Sequence, residues 1–196
     1  SDGAHTVFTD HWIEIHPPPA TSTTARIPPP RELVAWHEPS GDLAERNLGL
    51  ADIKVGEQIE SFPMVNAGFE LLKAVRDKFP DDPAVPLGIG KVFLVVNDGA
   101  QAAQTFEPLI QKQPDVTLNY FYAGLAEKEL HDKSKAVEYL EKALQLDPQL
   151  VPPYQELLDI YSADHDKEKL LETLQRYHQA FPQKLDAQEV LARARN

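Results

Sequence analysis

The side chains here that could do chemistry are seven histidines and 31 carboxylates, and there is no cysteine. His5, His11 and His16 gather near the start, and His131 and His165 stand further along, each followed by an aspartate. Paired imidazoles can hold a metal ion. Asp164-His165-Asp166 and Asp81-Asp82 bring acids together, and Gly88-Ile89-Gly90-Lys91 has the residue types of a phosphate-cradling turn. That run lacks the Gly-x-x-x-x-Gly-Lys-Ser/Thr spacing that wraps successive amides around a phosphate. Gly-x-Ser-x-Gly, His-Glu-x-x-His and an EF-hand loop are absent from the sequence. Without cysteine, disulfides, thiolate metal sites, a Cys nucleophile and a covalently attached c-type haem are excluded for these residues. With 31 acids against 19 bases the net charge is −12, which argues against nucleic acid and anionic membrane partners. No apolar run approaches the roughly 20 residues of a membrane span. The expectation is a protein that is not an enzyme and holds no metal.

The elements that would position these side chains announce themselves by a period. Pro80, Pro114, Pro148 and Pro182 recur at one constant interval, without drift. Eight residues before each stand Leu72, Phe106, Leu140 and Leu174. Twelve before stand Gly68, Ala102, Ala136 and Leu170. Gly90, Gly124 and Leu158 recur 24 before the last three. His131 and His165 are separated by the same interval. A fixed period of about 34 residues signals a repeat architecture. Small residues let two helices approach closely, large ones fill the space between units, and proline ends the second helix.

The stretch 117–150 carries Tyr120, Ala123, Gly124, Glu127, Ala136, Leu140, Ala143 and Pro148. The stretch 83–116 carries Pro86, Ile89, Gly90, Phe93, Ala102, Phe106, Leu109 and Pro114. The stretch 151–184 carries Tyr154, Leu157, Leu158, Tyr161, Leu170, Leu174, Tyr177 and Pro182. This pattern resembles the tetratricopeptide repeat, a helix–turn–helix unit of about 34 residues. The resemblance implies an all-α, right-handed superhelix of about four helix pairs. The repeats would be 42–82, 83–116, 117–150 and 151–184, with a capping helix at 185–196 and an extended Pro-rich arm at 1–41. The first repeat contains seven extra residues. They are placed in a bulged turn over Glu57–Phe62, after a helix capped by Asp42 and ended at Gly56. A second helix is expected from Ser61 and Pro63. In the turns, Asn97, His131 and His165 share one position. A left-handed backbone there suits Asn and His, and neighbouring units lie about 10 Å apart, so metal binding at the two histidines is not expected.

In that family the first helices line a concave face that takes a protein or peptide. Carried over by register, the groove here is Leu43, Arg46, Leu50, Ile53, Leu87, Lys91, Leu94, Leu118, Phe121, Leu125, Lys128, Gln155 and Asp159. A subgroup clamps a peptide's terminal carboxylate with basic and amide side chains. Here Arg46, Asn47 and Lys91 stand amid Leu50, Gly88, Leu118 and Tyr122, so that clamp is incomplete. The middle of the groove is apolar, and exposed apolar patches mark contacts.

The first 41 residues hold seven of the 17 prolines. Pro17-Pro18-Pro19 and Pro28-Pro29-Pro30 favour polyproline II. Two readings are open for this linker, a semi-rigid spacer and a docking motif for an aromatic groove. Leu33, Val34, Ala35 and Trp36 form an apolar knot expected to pack on the first repeat. Phe8, Trp12, Ile13, Ile15 and Trp36 offer the groove an occupant from the same chain or a second copy. An open groove with a free arm is the competing expectation. His5-Thr6-Val7-Phe8-Thr9-Asp10-His11-Trp12-Ile13 resembles the end of the haem domain in bacterial multihaem c-type cytochromes fused to these repeats, although Glu14, Ile15 and His16 replace the arginines usual there. The resemblance implies an extracytoplasmic protein, an upstream haem domain and His5 as an axial haem ligand. No cofactor is expected on the residues at hand; the chain opens without a Met and is read as part of a longer protein.

Overall fold

The chain divides into two units, Ser1–Arg31 and Glu32–Asn196. The computed structural model describes residues 41–183, all within the second unit. The arm's aromatic residues, His5 and the expected cap at 185–196 therefore lie outside the described residues.

Among the described residues eight α-helices follow one another: α1 (Asp42–Gln58), α2 (Phe62–Val75), α3 (Ala84–Val95), α4 (Gly99–Lys112), α5 (Thr117–Glu129), α6 (Lys133–Leu146), α7 (Val151–Ala163) and α8 (Lys167–Ala180). A single 3₁₀ turn, Arg76–Lys78, extends α2. No strand occurs among the described residues. The helices pair as α1–α2, α3–α4, α5–α6 and α7–α8, giving the all-α repeat superhelix that the sequence period implies.

Within each pair three residues turn the chain, and their chemistry repeats. Asn97, His131 and His165 have φ of 57, 60 and 56°, the left-handed conformation expected for them. The next residue is an aspartate each time. Asp98, Asp132 and Asp166 accept from the backbone amides of Gln101, Lys135 and Lys169, all at 3.1 Å. Each satisfies one of the orphan donors of a helix start. The first pair departs from this chemistry. Glu60 takes the left-handed position with φ 54°, and Ser61 precedes α2 without a side-chain cap bond.

The seven extra residues are not a bulged turn. α1 continues nine residues past Gly49, against five past Gly90 in α3 and Gly124 in α5. α2 starts six residues before Gly68, against three before Ala102 in α4 and Ala136 in α6. The insertion thus lengthens both helices by about one turn and leaves a three-residue connection. Propagating a helix adds one hydrogen bond per residue fixed, which a bulge does not. Gly56 is accordingly inside α1 and buried. A Cβ there would stand 2.8 Å from the Val65 amide nitrogen, so it serves close approach and ends nothing. Asp42 is likewise the first residue inside α1, capped by Gly41 (φ 94°), and its carboxylate pairs with Lys78 instead.

Small residues hold the pairs together. A Cβ on Gly68 would meet the Gly49 carbonyl at 2.6 Å, and one on Gly124 would meet Leu140 Cγ at 2.9 Å and the Ala136 carbonyl at 3.3 Å. Fully buried Leu72, Phe106, Leu140 and Leu157 centre the apolar core, with Ala102, Ala136 and Ala143 between them. Burying each such large side chain is worth roughly 1.5–3 kcal/mol.

Candidate functional site

The expected groove residues occupy three different environments. Leu43 and Leu118 are exposed, at 60% and 41%, and Gln155 and Asp159 are also exposed. Leu50 is half-buried against Ile53 and Leu72. Leu87 and Leu94 are half-buried against the core around Phe106, and Leu125 against the core around Leu140. Ile53 and Phe121 are buried, at 2% and 9% exposure, and are not groove surface. Ile53 packs with Val65 and Leu72; Phe121 lies 5.1 Å from the Tyr122 ring. The wet apolar surface expected along the middle of the groove is therefore largely filled by the repeats themselves.

Among the basic groove residues, each cation has a partner. Arg46 donates from Nε to Asp82 Oδ2 at 2.7 Å. Lys91 pairs with Glu57 and sits 5.7 Å from the Tyr122 ring centroid. Lys128 pairs with Glu156. Arg46 and Lys91 were also the charges of the incomplete carboxylate clamp, and both are committed to carboxylates of this chain. Beyond the row, Lys133 pairs with Asp164, and Arg176 holds Glu141 at 2.8 Å. Several of these ion pairs link neighbouring helix pairs: Arg46–Asp82, Lys91–Glu57, Lys128–Glu156, Lys133–Asp164 and Arg176–Glu141. Glu57 lies in the inserted turn of α1, so the longer helix brings that carboxylate to Lys91, a contact invisible in the period.

Burial pushes the Tyr122 hydroxyl above its usual pKa, opposed by the Lys91 charge. Burial likewise raises Tyr139, Tyr154 and Tyr161, with carboxylate neighbours such as Glu127 and Glu141 adding to it. The hydrogen bond from Arg176 to Glu141 raises the guanidinium's already high pKa. His131 and His165 lie exposed in successive turns. Among the described residues, no group of three or more His, Asp or Glu side chains is placed to hold a metal. Gly88 and Gly90 lie inside α3. A Cβ on Gly90 would strike the Phe106 ring at 2.5 Å, so this glycine makes room for an aromatic ring and cradles no phosphate.

The repeat register names Glu127, but sequence reasoning gave it no place in a site. It stands where the repeat places Phe93 and Tyr161, is only 7% exposed, and faces Lys135 at 3.7 Å. With Glu107, Tyr139 and Lys135 it lines a cavity of about 270 Å³. The signal was present as a charged residue at an aromatic position. No helix among the described residues is long and apolar enough to cross a membrane.

No family model matches the chain, and no curated protein matches it. Solved structures are similar in fold. A MamA double mutant, RS-1 ArsTM, superposes with a TM-score of 0.61 at 19% identity, over 71% of this chain and 74% of that one. A thermophilic tetratricopeptide-repeat protein of Thermus thermophilus gives 0.57 at 15% identity, over 74% and 80%. A chain of the Cut9–Hcn1 hetero-tetramer of APC/C gives 0.64 at 19% identity, over 80% of this chain and 30% of that one. At these identities the likeness is one of fold, and that fold is the tetratricopeptide type.

Proposed function

We propose that this chain is a non-catalytic protein-interaction scaffold that binds a protein or peptide along its first helices. The supporting observation is the row itself. Exposed Leu43 and Leu118 alternate there with part-buried ion pairs at Lys91 and Lys128. Lys128 is 40% exposed, and exposed pairs contribute little stability, so a partner's carboxylate can exchange with Glu156 at low cost. Apolar anchors beside exchangeable charges suit a protein surface and suit no small substrate. The test uses the protein that co-purifies with the full-length native protein. Leu118→Asp with Lys128→Glu should abolish that co-purification, while Glu138→Lys on α6 should keep it. Equal retention by the native protein and both variants would reject the row as the binding face.

The wider setting we propose is an extracytoplasmic, cytochrome-like protein of which these repeats are one part. Its support is the resemblance of residues 5–13 to the end of a multihaem cytochrome domain. In that setting His5 supplies an axial ligand to a haem held by an upstream domain. Changing His5 to Ala in the full-length protein should alter one haem's absorption bands and potential; unchanged spectra would remove the ligand.

A further inference from the structure

Away from the first-helix row, a cleft of about 600 Å³ opens between α2 and α4 with α3 as its floor. Phe69, Phe79, Ile89 and Phe93 line it, with Pro86 and Pro108. Its origin is legible one repeat further on. Tyr120 stands one period after Pro86, and Tyr154 one period after that. At their junctions these rings fill the same place, Tyr120 at 6.2 Å from Tyr139 and Tyr154 at 5.4 Å from Tyr177 and 6.3 Å from Phe181. Part of the cleft is thus room that an aromatic side chain takes at the later junctions and that Pro86 leaves open.

Its rim is basic on a chain of net charge −12. Lys73, Arg76 and Lys112 line it. Their counterparts one period on are Glu107, Ile110 and Leu146, so the next junction carries none of these cations. Lys73 approaches Glu70 at 3.3 Å and Arg76 approaches Asp77 at 3.4 Å, both as exposed pairs that hold weakly. Pro108 has no amide to give the Gln104 carbonyl, and both residues line the cleft, which leaves an acceptor for an N–H donor.

The chain enters the described fold beside this cleft. Asp42 pairs with Lys78, two residues from Arg76 and one from Phe79. Just upstream in the sequence runs Glu32-Leu33-Val34-Ala35-Trp36-His37-Glu38. Four residues lie between Trp36 and Gly41, so the five steps of chain reach up to about 17 Å. We propose that the cleft is the docking site of this segment, with Trp36 as the missing aromatic ring. Glu32 and Glu38 then face Lys73, Arg76 and Lys112, and the indole N–H donates to the Gln104 carbonyl. The inference does not depend on which face binds a partner.

The chain has two tryptophans, so Trp12→Phe in the full chain leaves Trp36 as the sole indole reporter. Its emission should be that of a buried indole, protected from acrylamide quenching. Pro86→Tyr, which fills the cleft from within, should shift the emission to the red and raise quenching to that of a free tryptophan peptide. Lys73→Glu with Arg76→Glu and Lys112→Glu alters exposed positions only, and should do the same while helicity by circular dichroism stays constant. An indole already solvated in the Trp12→Phe protein overturns the proposal, also if the cleft then takes an added acidic aromatic peptide. A buried indole that the charge reversals leave unmoved overturns it too, since Trp36 would then lie elsewhere.

Discussion

Gly90→Ala offers the sharpest test of how the units pack. The new methyl would stand 2.5 Å from Phe106 Cζ and 2.7 Å from Cε1. Phe106 is fully buried and stacks on Tyr122 with centroids 5.7 Å apart and planes 17° apart, so the ring has no empty side to move into. Overpacking of this kind costs about 1–3 kcal/mol. The helix gains about 1 kcal/mol from replacing glycine by alanine, leaving a net loss of up to about 2 kcal/mol. Phe106→Leu alone removes ring volume and should cost roughly 1–2 kcal/mol through the cavity it leaves. In the double variant the alanine methyl occupies space the ring vacated. The two changes should therefore couple favourably, by about 0.5–2 kcal/mol. Urea unfolding followed by circular dichroism and tyrosine fluorescence measures all four proteins, with coincident transitions as the check on two-state behaviour. Additivity within about 0.3 kcal/mol would refute the claim that glycine and ring share one space.

Ala136→Leu should cost about 1–3 kcal/mol in the same assay, because Ala136 is fully buried opposite Gly124; a loss well under half a kcal/mol would mean the helices do not meet there. Glu60→Gly should stabilise by roughly 0.5–1 kcal/mol, since it relieves a non-glycine residue at φ 54°, and a destabilised protein would contradict this. Asp132→Ala removes the cap on Lys135 and should cost about 1 kcal/mol, read as a lower melting temperature. At high pH, Tyr122, Tyr139, Tyr154 and Tyr161 keep their protons in the fold after the unfolded chain has lost its own. The folded state then binds more protons, so stability should fall as pH rises past about 10. Tyrosinate absorbance should lag behind that of the urea-unfolded chain, and coincident titrations would contradict the burial.

The sequence made the repeat legible because its constraints are local and recur. A left-handed turn admits few residue types, so Asn97, His131 and His165 could be read as turn residues. Close helix approach admits only small ones, so Gly124 and Ala136 could be paired. Where the insertion goes is decided by hydrogen bonding across two helices, and Gly56, a common helix-ending residue, pointed to the wrong boundary. The groove was legible as a face and less so as a surface. A register names the residues that point inward; it does not say how tightly the next unit covers them, and Ile53 and Phe121 are covered. Pro86 and Glu127 break the pattern at positions of large aromatic residues, and both breaks coincide with a cleft or cavity.

The turns carry a consequence for how such a chain can change length over generations. His131-Asp132 and His165-Asp166 are the same dipeptide in the same backbone conformation. An in-frame loss of residues 132–165 would join His131 to Asp166 and recreate that turn, with α8 taking the place of α6. The seam itself would be chemically silent. Only the facing side chains would differ, Leu170 and Tyr177 standing where Ala136 and Ala143 had been. Heredity can thus add or remove a unit of this protein by recombination between like turns, and selection need only adjust the helix that arrives.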